Sequence, residues 1–86
     1  MTQYRTKPRR NLAHEIASQI RRDIISGAFK PGVALAEPAV AGRFGVSRAP
    51  VREAMIELER IGLVQFEPTG RTRVRMLEEK DRMRKV

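Results

Sequence analysis

An 86-residue chain with a formal charge of +8 and no cysteine makes one small domain. Such a domain has little room for a deep small-molecule pocket, and without cysteine it has no disulfide framework and no thiolate metal site. No apolar run approaches the roughly 20 residues that span a bilayer, the N-terminus lacks the apolar stretch of a secretory signal, and a pI of about 11.3 points to a polyanion, most often nucleic acid.

The absence of cysteine suits a reducing compartment, and the chain is expected in the cytoplasm. The bland alternative is a merely soluble basic protein. Charge is uneven. Residues 1–10 carry Arg5, Lys7, Arg9 and Arg10 without an acid, which reads as a basic flexible arm that either folds onto a phosphate backbone or stays a solvated tail.

Asn11 is a good helix cap. Leu12, Ala13, Ile16, Ala17, Ile20, Ile24 and Ile25 then recur at three- and four-residue intervals, so 12–26 reads as an amphipathic helix that Gly27 ends. Pro31-Gly32 suits a type II turn. Val33 to Leu35 reads as a short strand, with Phe29 and Leu35 as core anchors. A second helix is expected over about 38–44, with Pro38 tolerated in its first turn, Val40, Ala41 and Phe44 on its apolar face, and Gly42 as a weak point. Gly45 stops it and Val46 plugs the corner.

Ser47 is the expected cap of a third helix, 48–61. Pro50 has no N–H to give, so the serine hydroxyl should accept from Ala49. Val51, Ala54, Met55, Leu58 and Ile61 form the apolar stripe, and Gly62 ends the helix. Leu63–Glu67 and Thr72–Met76 read as strands around a Pro68-Thr69-Gly70 turn. Val74 and Met76 should face the core, and Arg71, Arg73 and Arg75 the other side. Residues 78–86 look like the start of an element that does not complete. The fold class is mainly α with a small β-hairpin: three helices plus a two- to three-stranded antiparallel sheet.

Two short helices around the Gly45-Val46-Ser47 corner resemble a helix-turn-helix, whose second helix enters the DNA major groove by its N-terminal end. That end carries Arg48 and Arg52, four apart and beside the apolar stripe. Arginine bonds bidentately to guanine O6 and N7. Ala49 is small enough for close approach, and Ser47 with the first-turn N–H groups can meet a phosphate. The bland reading is a solvated face balanced by Glu53, Glu57 and Glu59. Those acids lie further along, however, and the helix dipole disfavours cations at the N-terminus unless an anion is present. Thr69, Gly70 and Arg71 form a candidate wing for a backbone or minor-groove contact; the bland reading there is a solvated hairpin.

Leu12 to Leu77, about three quarters of the chain, resembles the winged helix-turn-helix DNA-binding domain of the GntR family of bacterial transcription regulators. The resemblance rests on Phe44-Gly45-Val46-Ser47-Arg48-Ala49-Pro50-Val51-Arg52-Glu53-Ala54 and Leu58-Glu59-Arg60-Ile61-Gly62-Leu63-Val64. Ile24-Ile25-Ser26-Gly27 and Lys30-Pro31-Gly32 support it. The Ser-Arg-x-Pro-Val-Arg pattern is similar to the subfamily with an all-helical effector domain, the FCD type. The resemblance implies a domain over 11–77 and a repressor-type regulator that reads a double-stranded operator with an inverted repeat as a homodimer. In its terms, Ser47 and Pro50 line the DNA-facing start of the recognition helix, and Arg48 and Arg52 contact bases and backbone. Gly70 sits at the wing tip, and Glu37 stands near the start of the second helix. Pro38 departs from the pattern, since family members often carry a phosphate-contacting polar residue there. The family's effector and dimerisation domain is missing, with 78–86 as linker or first helix, so a monomer or weak dimer is expected off DNA.

No membrane contact, no cofactor, no metal and no enzymatic activity are expected. There is no nucleophile–base pair, phosphate loop or carboxylate dyad. His14, the sole histidine, reads as a surface residue because a metal site needs several donors. The rival readings are a winged-helix module for protein contacts and a non-specific polyanion binder.

Overall fold

A computed structural model describes residues 9–76. The order is α1 (Arg9–Ile25), α2 (Glu37–Phe44), α3 (Arg48–Arg60), β1 (Val64–Phe66) and β2 (Thr72–Val74). This is a winged helix-turn-helix, as the sequence indicated. α1 starts two residues before Asn11, which therefore lies inside the helix instead of capping it. Arg9 and Arg10 are good helix formers, so the helix propagates back through them as far as the residue that follows Pro8 in the sequence. Residues 1–8 of the expected arm, and the segment 78–86, lie outside the described residues.

α1 and α3 pack as the main helix pair. Ile16, Ile20, Val51, Met55 and Leu58 are fully buried between them, joined by Val64 and Val74 from the hairpin and Leu35 from the connection. Burying each such side chain is worth about 1.5–3 kcal/mol relative to exposure, so this shared core fixes α3 against the rest of the domain. Phe29, Phe44 and Val46 pack at its margin. Two residues expected in helical stripes do not join it. Ile25 is 67% and Ile61 55% exposed. Ile25 lies about 100° around the helix from Ile24, which keeps the inward place. Ile61 falls past the last turn of α3, at φ −92° and ψ 6°, where the chain leaves the helix.

β1 and β2 pair antiparallel with Val64 opposite Val74 and Phe66 opposite Thr72. The expected strand at 33–35 is reduced to a single bridge, Ala34 to Arg73. The Leu35 N–H donates to Thr72 O at 2.8 Å and the Val74 N–H to Val33 O at 2.8 Å. Both strands are shorter than their alternating patterns suggested. Because pairing stops at Val74, Met76 has no strand to hold it inward; it is 61% exposed and lies over Gly32.

Two backbone corners place the functional surface. Gly45 closes α2 at φ 69°, and the Val46 N–H donates to Ala41 O at 3.0 Å. A left-handed residue there lets the chain reverse into α3. In the hairpin, the Gly70 N–H donates to Glu67 O at 2.8 Å and the Glu67 N–H to Arg71 O at 2.8 Å, with Gly70 at φ 91°. This is a three-residue loop ending in a left-handed glycine, a common hairpin closure.

Candidate nucleic-acid interface

Ser47 stands at the N-cap of α3 in extended backbone, φ −73° and ψ 172°. Its side chain makes no capping bond, contrary to the expected bond from Ala49. With Pro50 lacking an N–H, the usual third-position donor is gone, and the exposed hydroxyl is left for solvent or a ligand. Pro50 itself is buried, so it shapes the first turn from within. Ala49 is half-buried, and Arg48 projects outward from the same turn.

Arg48 is exposed and forms no hydrogen bond or ion pair within the described residues. It lines a cleft of about 340 Å³ together with Glu37, Pro38, Gly70, Arg71 and Thr72. The fold thus brings the first residue of α3 and the wing tip, more than twenty positions apart in sequence, to one concavity. Thr69, Gly70 and Arg71 are all exposed there. A guanidinium offers five donors and no acceptor, so the exposed Arg48 and Arg71 form a cationic rim beside the positive end of α3. That arrangement favours an anion.

Arg52 is placed differently. Its Nη1 donates to Glu37 Oε2 at 2.8 Å, and its guanidinium carbon lies 4.6 Å from the centre of the Phe66 ring. The side chain remains 49% exposed while that of Glu37 is 18% exposed. The acid that engages Arg52 therefore comes from α2, across the corner. Of the acids weighed from sequence, Glu57 bonds instead to His14, Oε2 to Nδ1 at 3.1 Å. Arg48 and Arg52, four residues apart, are separated by about 6 Å along the helix axis.

The three wing arginines also divide. Arg73 is held by Glu67, Nε to Oε2 at 2.8 Å and Nη2 to Oε1 at 3.2 Å, and its Nη1 donates to Gly32 O at 2.6 Å. This bidentate clasp ties the base of the wing to the 30–32 turn. The Arg73 hydrogen bond lowers the Glu67 carboxyl pKa below its ordinary 4.5, and the same pair raises that of Arg73. Arg73 is thus structural, whereas Arg71 faces solvent. Glu37 was placed near the start of the second helix from sequence, but the pairings of Arg52 with Glu37 and Phe66, and of Arg73 with Glu67, carried no signal there. Each joins separate elements, and no helical or strand periodicity encodes such a pairing.

Among the described residues no three His, Cys, Asp or Glu side chains gather closely enough to hold a metal ion. No helix among them is long and apolar enough to cross a membrane.

Residues 12–74 match the family model of bacterial regulatory proteins, gntR family. The chain belongs to the GntR family. Over 61 residues it is 44% identical to the HTH-type transcriptional repressor RspR of Escherichia coli K12, a match covering 71% of this chain and 27% of that protein. It is 41% identical over 64 residues to the HTH-type transcriptional regulator YdhC of Bacillus subtilis 168, covering 74% and 29% respectively. The crystal structure of a GntR regulator from Rhodococcus sp. RHA1 superposes with a TM-score of 0.80 at 35% identity, covering 84% of this chain and 35% of that one. The chain thus spans under a third of the length of these two curated GntR relatives.

Proposed function

We propose that this GntR-family chain binds double-stranded DNA sequence-specifically as the DNA-binding domain of a transcriptional repressor. The N-terminal end of α3 enters the major groove and the wing at 68–71 lies along the minor groove. One observation carries the reading: Arg48, exposed at the start of α3 and without an ion pair among the described residues, shares a cleft with Gly70 and Arg71 of the wing. In that arrangement Ser47 and the first-turn N–H groups meet a phosphate, Ala49 allows close approach, Arg48 and Arg52 address base edges, and Thr69, Gly70 and Arg71 follow the backbone. Pro50 holds the first turn in shape. The name of the E. coli relative supports a repressor. The Ser47-Arg48-Ala49-Pro50-Val51-Arg52 run supports the FCD-type subfamily and, with it, a separate effector domain, a cytoplasmic protein and a homodimer on an inverted repeat. Two-fold recognition puts half-sites about one helical turn, or a multiple, apart.

The test is selection of bound duplexes from a random library, followed by anisotropy titration of the selected duplex against a shuffled duplex of the same composition. The expected result is an inverted repeat bound far more tightly than its shuffled control, with steep salt dependence. Equal affinity for all sequences would leave only general polyanion binding. Sedimentation with and without the selected duplex reports whether DNA assembles two copies.

A further inference from the structure

Arg52 is engaged twice in the free protein, by the Glu37 carboxylate at 2.8 Å and by the face of Phe66 at 4.6 Å. These contacts come from three elements, α2, α3 and β1. The bond to Glu37 uses one N–H of Nη1. The remaining N–H groups form no other hydrogen bond within the described residues, so a planar fork of donors stays available. The Phe66 ring packs against the guanidinium, and the carboxylate anchors one of its nitrogens. Long arginine side chains otherwise lose rotamer entropy when they bind. Here much of that ordering is already done in the free protein. Glu37 is itself mostly covered, so neither side chain moves away without giving up the 2.8 Å contact. The pair is therefore mutually held.

We infer that Glu37 is a specificity-determining positioning residue. It presets the Arg52 guanidinium for bidentate base recognition, and its negative charge weakens binding to DNA of unrelated sequence. The inference rests on the DNA-reading role proposed above for α3. An acid beside a phosphate-binding surface costs affinity for every sequence alike. The oriented arginine recovers that affinity only where a guanine edge meets the fork. Glu37 thereby widens the difference between right and wrong DNA instead of raising affinity as such, which is how discrimination is built.

The experiment uses the whole chain, the duplex selected by the parent, and its shuffled control. Glu37→Ala, Glu37→Gln, Arg52→Ala and the double variant E37A/R52A are compared by anisotropy, with circular dichroism to verify folding. Glu37→Ala is expected to bind shuffled DNA severalfold more tightly and to lose about tenfold in the selected-to-shuffled ratio. Glu37→Gln keeps an oxygen that accepts from Nη1, so it should retain most of the ratio while also gaining affinity for shuffled DNA. In the Glu37→Ala background, Arg52→Ala should cost little further discrimination. A role in holding the fold alone would lower binding to both duplexes together and would not be rescued by glutamine in this pattern. If Glu37→Ala discriminates as well as the parent, or if Arg52→Ala costs the same ratio with and without Glu37, the inference is overturned. If the parent itself shows no sequence preference, the DNA-reading role fails and the inference with it.

Discussion

Gly45→Ala isolates the backbone corner that aims α3. The residue sits at φ 69° and ψ 37°, and a Cβ added there meets no atom within 4 Å. Steric overlap with the rest of the fold is therefore absent, and the cost reduces to the left-handed backbone itself, about 1–2 kcal/mol for a residue with a Cβ. Alanine also narrows the unfolded ensemble, offsetting roughly 0.4–1 kcal/mol. The net expectation is a loss of about 1 kcal/mol, or roughly 4–8 °C in Tm for a domain of this size. Gly42→Ala supplies the contrast. Gly42 lies inside α2 with helical backbone, and its Cβ also meets open space. There alanine should stabilise by about 1 kcal/mol. Urea denaturation at 25 °C with thermal melts followed by circular dichroism measures both. An unchanged Gly45→Ala stability would mean that the corner does not hold a left-handed residue. A loss above about 3 kcal/mol would mean that something occupies the space beside it.

Leu58 is fully buried on the inner face of α3, so Leu58→Ala should cost about 2–5 kcal/mol; chemical denaturation should show a midpoint lowered in proportion. The Glu67 carboxyl has a folded pKa below 4.5 because Arg73 donates to it. Its stabilising effect is complete above the ordinary carboxylate range and is lost as pH falls through the lowered folded value. Denaturation at pH 6 and pH 3 should therefore show a smaller acid-induced loss in Glu67→Gln than in the parent. Arg71→Ala should weaken binding to selected and shuffled duplexes nearly equally, and reduce the slope of log affinity against log salt by about 0.9 if one phosphate contact is lost. Titrations at four salt concentrations would decide it.

Periodicity made the helices legible. The stripe through Ile16 and Ile20, and that through Val51, Met55 and Leu58, each name a single buried face, and the structure packs the two against each other. The turn glycines were legible because a left-handed residue has few alternatives to glycine. The ends of elements were harder to read. Ile61 and Met76 continue the right pattern past the last turn or last strand pair, where packing no longer holds them, and Ile25 ends α1 beside Ile24, which takes the inward place. Arg48 could be singled out from its place beside a cap. The partners of Arg52 and Arg73 could not, because Glu37 is fifteen residues from Arg52 and Gly32 forty-one from Arg73. Contacts of that range are written in the tertiary fold, and alternation along β2 gave Arg71, Arg73 and Arg75 one shared reading that the clasp then divides.

A structure of the chain bound to its selected duplex tests the central claim most directly. The arrangement described here places the Arg48 guanidinium within hydrogen-bonding distance of base edges in the major groove, with Gly70 and Arg71 against the adjacent minor groove. A duplex lying on another face of the domain, with Arg48 still in solvent, would contradict it.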